Sequence, residues 1–160
     1  DKLKGLEQRI MELIRHGQEN VNIADRLHRW TRALMLTPQA ADLPDVHADR
    51  SSLQNALLNL ALNGCQAMPT GGTLRLAATR VPGGKVAVTV SDAGIGIPAD
   101  QLDKIFNLYF TTKEGGTGIG LAMVYRTVQL HDGDIRVESA PGRGTTFTVT
   151  LPAEAEETAQ

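Results

Sequence analysis

The chain has 160 residues, which suits one domain with a hydrophobic core. Its formal net charge of −2 has no long run of one sign, which excludes the electrostatic footprint of nucleic-acid binding. One cysteine, Cys65, excludes an internal disulfide framework and fits a reducing compartment, and no stretch approaches the roughly 20 apolar residues of a membrane span.

Residues 2–19 are expected to be helical, because Leu3, Leu6, Ile10 and Leu13 alternate spacings of three and four, the seam of a helix pair. That stripe also suits an amphipathic helix lying on a domain. Since the chain begins at Asp1 and not at Met, the preferred reading is the end of a helical stalk cut from a longer protein, with Gly17 and Asn20 as its stop. Residues 21–23 suit a short strand. Residues 24–36 carry Leu27, Trp30, Thr31 and Leu34 at helical spacing, with Trp30 as a core anchor. Pro38 ends that helix, and Leu43-Pro44-Asp45 leads into an extended piece around Val46.

Residues 53–68 form the stretch around which the chain is organised. Wound as a helix, Leu53, Leu57, Leu60, Ala61 and Gly64 share one face, and Asn55, Asn59, Asn63 and Gln66 line the other. Such amides either face water or meet a polar partner, since a buried unpaired amide costs about 1–3 kcal/mol. Ser51 and Gln54 read as a capping box at its start, with Asp49 as the rival cap, and Pro69, Gly71 and Gly72 end it. Cys65 reads as a small, inert helix residue.

Strands are expected over residues 73–81, with Leu74, Leu76 and Ala78 on one face, and over residues 85–91, with Val86, Val88 and Val90. Pro82-Gly83-Gly84 joins them as a hairpin turn. The second strand runs into Asp92-Ala93-Gly94-Ile95-Gly96-Ile97-Pro98, followed by a short helix with Leu102, Ile105 and Phe106 inward. Residues 107–120 have little periodic hydrophobicity and contain Gly115, Gly116, Gly118 and Gly120, the pattern of a functional or mobile loop. Residues 121–130 resume helical spacing. Asp132-Gly133 turns into a strand with Ile135 and Val137. Pro141-Gly142-Arg143-Gly144 turns into another with Phe147, Val149 and Leu151. The tail from residue 153 is small and acidic and is expected to fray. Helices plus hairpin-linked strands predict a two-layer α/β (α+β) sandwich, with helices on one face of a mixed, largely antiparallel sheet.

Nucleotide binding is the chemistry these residues suggest. Asp92 ends a strand, where its carboxylate can accept from an exocyclic amine, and Gly94 and Gly96 would let a flat ring approach the backbone. Residues 115–120 lead into a helix, so their amides and the positive helix end make a phosphate cradle, without the Lys-Ser/Thr of a Walker loop. Asn63 offers an oxygen to magnesium, which takes few protein ligands and keeps phosphate oxygens and waters for the rest. Asn59 sits one turn earlier. Lys113 is either a phosphate counter-charge or a solvated lysine.

In order, N-L-A-L-N-G at 59–64, D-A-G-I-G at 92–96, F-N-L-Y-F at 106–110 and G-G-T-G-I-G-L at 115–121 resemble the N, G1, F and G2 boxes of sensor histidine kinases. P-G-R-G-T-T-F at 141–147 is similar to the last glycine box, and residues 110–124 look like the nitrogen-regulation sensors. The resemblance covers about residues 21–152. It implies the ATP-binding (Bergerat) fold shared with gyrase, heat-shock chaperone and mismatch-repair ATPases. By that resemblance Asp92 binds the adenine amine and Asn63 holds magnesium. Asn59, Asn63 and Lys113 serve the phosphoryl transfer. Gly94, Gly96, Ile97, Phe106, Thr112, Gly116, Thr117, Gly118, Ile119, Gly120 and Leu121 line the nucleotide, with Thr145 or Thr146 near the adenine.

The resemblance further implies a protein-histidine kinase domain over residues 21–152, the end of a dimerisation helix over 1–20 and a flexible tail over 153–160. ATP and Mg2+ are its cofactors. A phosphoacceptor histidine segment of a homodimeric parent and a response regulator are its partners. The compartment expected is cytoplasmic, whether or not the parent is anchored in a membrane. Two departures stand out. Position 64 is Gly where the family usually has Ala, an exchange expected to loosen helix packing slightly and spare the ligand. None of His16, His28, His47 and His131 has the context of the family's acceptor box, so all four read as structural or surface residues. ATP-hydrolysing relatives carry glutamate at the position of Asn59, and an amide cannot take water's proton at neutral pH. The alternatives are an ATP-binding pseudokinase module and an anti-sigma-factor-type serine kinase on the same fold.

Overall fold

The computed structural model describes residues 33–36, for their backbone, and residues 43–154. The expected stalk, the 21–23 strand, Trp30, His16, His28 and the end of the tail lie outside the described residues. The elements are β1 (Ala33–Leu36), α1 (Arg50–Gln66), β2 (Thr73–Val81), β3 (Lys85–Asp92), α2 (Gly120–Leu130), β4 (Asp134–Ser139) and β5 (Thr145–Pro152). They form one sheet in the order β1-β2-β3-β5-β4, with α1 and α2 packed together on one face. Among the described strands β1 and β2 pair in parallel, the long connection through α1 allowing that pairing, and the other neighbours are antiparallel. The mixed two-layer sandwich expected from the sequence is the fold observed.

Alternation along the strands sets the core. Val86, Val88 and Val90 of β3 pair with Leu151, Val149 and Phe147 of β5, and all six are buried beneath the helices. Between the helices and the sheet lie Leu57 and Leu60 of α1 with Val124 and Val128 of α2. Each of these side chains gains about 1.5–3 kcal/mol by leaving water. Asp92 and Thr145 continue the same register, so they too face the helices, at the end of the sheet.

Four expectations are corrected. Residues 33–36, read as the end of a helix, are β1. A short apolar run has no periodicity that separates helix from strand, and here the free edge of β2 supplies a ladder of partners. Asp49, not the Ser51–Gln54 box, caps α1, its Oδ2 accepting from the Ser52 N–H at 2.8 Å. Residues 98–110 are successive turns, with Gln101, Lys104 and Asn107 each donating three residues back, rather than a helix. So short a helix is marginal without a continuous packing face, and only Ile105 is fully buried there. The tail does not fray at once: Ala153 N–H donates to the Gly84 carbonyl and Glu154 N–H to that of Asp45.

His131 ties the helices end to end. Its Nδ1 lies 2.7 Å from the Thr127 carbonyl and its Nε2 accepts from the Asp49 N–H at 2.9 Å, which makes it a structural histidine. His47 is a surface residue 3.6 Å from the Glu154 carboxylate.

Candidate functional site

The site is built where the C-terminal half of α1, the end of β3 and the 111–118 loop converge. The helix buries Ala56, Leu57, Leu60, Ala61, Gly64 and Cys65. That fixes its rotation and leaves Asn59, Asn63 and Gln66 half-buried on its other side. The Lys113 Nζ reaches across from the loop. It donates to the Asn63 Oδ1 at 2.9 Å and also to the Gln66 Oε1. Asn59 faces the start of α2, its Oδ1 standing 3.8 Å from where a Cβ on Gly120 would lie.

Asp92 is held from two sides. Its Oδ1 accepts from the Gly94 N–H at 2.8 Å, and the backbone N–H of Thr145, paired with it across the sheet, favours the charged carboxylate. Burial pushes this carboxyl above its ordinary value, more than those hydrogen bonds and the Lys113 charge pull it down. Directly behind it is Gly64. A Cβ there would stand 3.3 Å from the Asp92 Cβ, 3.4 Å from its Oδ2 and 2.7 Å from the Leu74 Cδ1. The glycine therefore does not loosen the packing, as the sequence suggested. It lets α1 lie tight against β2 and β3. Next along the helix, Cys65 is wholly buried, and burial together with the Asp92 charge pushes its thiol up to about 12.

Gly94 and Gly96 have a packing reason that the sequence did not show. A Cβ on Gly94 would lie 2.4 Å from the Ala67 carbonyl oxygen, and one on Gly96 2.0 Å from that of Ala140. The position a side chain would take is filled by the protein's own backbone. The loop is further stitched by Ile95 N–H to the Ala67 carbonyl, Gly142 N–H to the Ile95 carbonyl and Ile97 N–H to the Ser139 Oγ at 2.8 Å. Ser139 also donates to the Gly144 carbonyl and bonds the Thr145 Oγ1 at 2.8 Å. Sequence reasoning missed Ser139, since a serine late in an edge strand carries no pattern. It missed Gln66 as well, though that amide was visible in the stripe.

The alternation decides between the two threonines. Thr145 is buried beside Asp92 on the helix side, while Thr146 bonds the Ser91 Oγ at 2.7 Å on the opposite face. Phe106 packs at 5.6 Å from the Tyr125 ring and at 6.3 Å, edge-on, from Phe147, so it anchors the turns of residues 98–110 to α2 and the core. Thr112, Lys113, Gly116, Thr117 and Ile119 are exposed on the loop. The loop closes on itself where Tyr109 N–H meets the Gly118 carbonyl at 2.8 Å, and Gly118 takes a φ of 68° with no room for a Cβ against Tyr109. It runs into α2 at Gly120 and Leu121, whose helix has no side-chain cap. The first amides there have no acceptor four residues back, so their N–H groups and the positive helix end can take an anion. Among the described residues no cluster of His, Cys, Asp or Glu could hold a metal by itself. The site thus offers a carboxylate acceptor, an amide carbonyl that takes a cation, and a helix start whose free amides can take an anion.

The chain belongs to the family of histidine kinase-, DNA gyrase B- and HSP90-like ATPases, whose model matches residues 48–155. Within it, the chain is 38% identical to the sensor histidine kinase ZraS of Escherichia coli K12 over 165 aligned positions, covering 95% of this chain and 35% of that protein. It is 42% identical to the signal transduction histidine-protein kinase AtoS of the same organism over 111 positions, 69% of this chain and 18% of AtoS. The chain thus spans about a third or less of the length of these relatives. Among solved structures, full-length ShkA in complex with AMPPNP is 29% identical with a TM-score of 0.75, covering 96% of this chain and 30% of ShkA. The nucleotide-free catalytic domain of the histidine kinase ThkA is 30% identical with a TM-score of 0.72, covering 90% and 94% of the two chains.

Proposed function

We propose that the chain is the ATP-binding catalytic domain of a two-component sensor histidine kinase, with residues 21–152 as that domain and residues 1–20 as the end of its dimerisation stalk. The observation that carries this is the cation already seated on Asn63: an ammonium stands 2.9 Å from its Oδ1, one residue before the Gly64 that backs onto Asp92. An oxygen that accepts Lys113 suits Mg2+, which holds most of its other ligands as phosphate oxygens and water. When bound, the metal supplies charge neutralisation on the triphosphate.

Asp92 accepts the exocyclic amine of adenine, with Thr145 beside it. Asn63 holds the metal, and Lys113 with the amides at the start of α2 meets the phosphates. The reaction is in-line attack by an imidazole nitrogen on the γ-phosphorus, forming the N–P bond and expelling ADP. It needs positioning and electrostatics rather than covalent help from the domain. Asn59 cannot accept water's proton, so the γ-phosphoryl group is kept for that imidazole. The histidine comes from a dimerisation segment of the parent, and a response regulator receives the group next. The test is radiolabelled ATP with the chain and an added histidine-bearing dimerisation segment. Acid-labile label on that segment supports the reading. Acid-stable label indicates a serine kinase, and tight ATP binding with no transfer indicates a pseudokinase.

A further inference from the structure

We infer that Gln66 is a positioning residue for Lys113, keeping the lysine's charge at the phosphate end of the site once Asn63 is given to a metal. This rests on the ATP reading above. Gln66 lies three residues beyond Asn63 on α1, so the two carbonyl oxygens project to the same side and share one ammonium. A divalent metal and an ammonium cannot both sit on the Asn63 Oδ1, because two cations that close repel strongly in a partly desolvated site. When Asn63 takes the metal, Gln66 is the acceptor that remains on this helix face.

Its chemistry suits the task. The Gln66 carbonyl is neutral, so it holds the ammonium without cancelling its charge, whereas a carboxylate there would cancel the lysine and repel phosphate. Holding Lys113 also places the loop. The Lys113 carbonyl accepts from the Gly116 N–H, and its own N–H donates to the Thr111 Oγ1 at 3.1 Å, so the turn moves with the lysine. Residues 111–117 are exposed, and this clasp ties them to α1. Losing the Gln66 acceptor widens the range of rotamers open to the four-carbon stem of Lys113, and the loop moves with it.

The experiment compares the 160-residue chain with Gln66→Leu, Lys113→Met and the double variant. Calorimetry measures Mg2+-ATP and adenosine, and hydrogen exchange of residues 111–118 is followed at saturating Mg2+-ATP, where Asn63 is given to the metal. Gln66→Leu is expected to weaken Mg2+-ATP about three- to ten-fold, leave adenosine unchanged and speed exchange in the loop. The double variant should bind no more weakly than Lys113→Met alone, since Gln66 acts only through that lysine. Gln66→Glu should slow exchange yet still weaken Mg2+-ATP. Equal losses from Gln66→Leu with and without Lys113, losses shared by adenosine, or unchanged exchange would each overturn the role. A parent chain binding neither ATP nor adenosine would overturn the ATP reading itself, and this role with it. Normal ATP affinity with additive losses would overturn only the role of Gln66.

Discussion

Gly64 backs onto Asp92: a Cβ on this helix residue would stand 3.3 Å from the Asp92 Cβ and 3.4 Å from the Oδ2 of the carboxylate that ends β3. The tighter neighbour is the Leu74 Cδ1 at 2.7 Å, the far end of a side chain that has rotamers to move through. Gly64→Ala should therefore change stability by less than about 1 kcal/mol, because a helix-propensity gain of about 1 kcal/mol offsets the repacking of Leu74. Gly64→Leu should destabilise by about 1–3 kcal/mol through overpacking. Urea unfolding of both variants measures this, and an alanine variant as unstable as the leucine one would contradict it.

Asp92→Asn should weaken adenosine and ATP alike by roughly ten- to a hundred-fold, as expected for loss of a charged acceptor worth about 1.5–3 kcal/mol. Folding should be little affected, since an uncharged amide relieves the burial that raises the pKa of this carboxyl. Calorimetric titration with circular dichroism as the fold control checks both halves.

The pH dependence follows from the same residue. Its pKa in the free protein is raised above 3.8, and an adenine amine favours the ionised form. Affinity is then full above the raised value and falls as the pH drops through it, at a higher pH than an exposed carboxylate would show. Asp92→Asn should flatten the profile. A wild-type profile that stays flat down to the onset of acid unfolding would remove Asp92 from the adenine site.

The isolated chain should bind ATP without labelling itself on His47 or His131. Both ring nitrogens of His131 are engaged, and it follows α2 at the end away from Gly120. Eleven helical residues place it roughly 16 Å from the glycine loop at about 1.5 Å per residue. His47 precedes the start of α1, with Asn63 near the other end of that helix. With an added acceptor segment, labelling should return, weakly because no tether raises its effective concentration, and Asn63→Ala should abolish it. Mass spectrometry finding phosphate on His47 or His131 would mean the acceptor has been misplaced.

Cys65 should be inert in the native state. Its thiol is wholly buried and pushed up to about 12, so the thiolate that reacts is scarce at neutral pH. A thiol reagent should label it only at the rate of unfolding. Fast stoichiometric labelling of folded protein would show that α1 opens locally at the site.

Much of this protein was legible in one dimension. Alternating valines in residues 85–91 and the paired pattern in residues 145–151 marked the central strands, because a period of two has one physical meaning when one face is buried. The amide stripe, the aspartate at a strand end and the glycine loop marked the site, since each motif is local. Tertiary structure decided what depends on neighbours distant in sequence. Residues 33–36 became a strand because β2 had an edge to offer. Thr145 and not Thr146 came to Asp92 because antiparallel register set the face. Gly94 and Gly96 proved necessary for backbone packed on backbone, against carbonyls of Ala67 and Ala140 that no local pattern could reveal. The clasp of Lys113 on Asn63 and Gln66 spans 50 and 47 residues, so only the folded chain brings that charge to that oxygen.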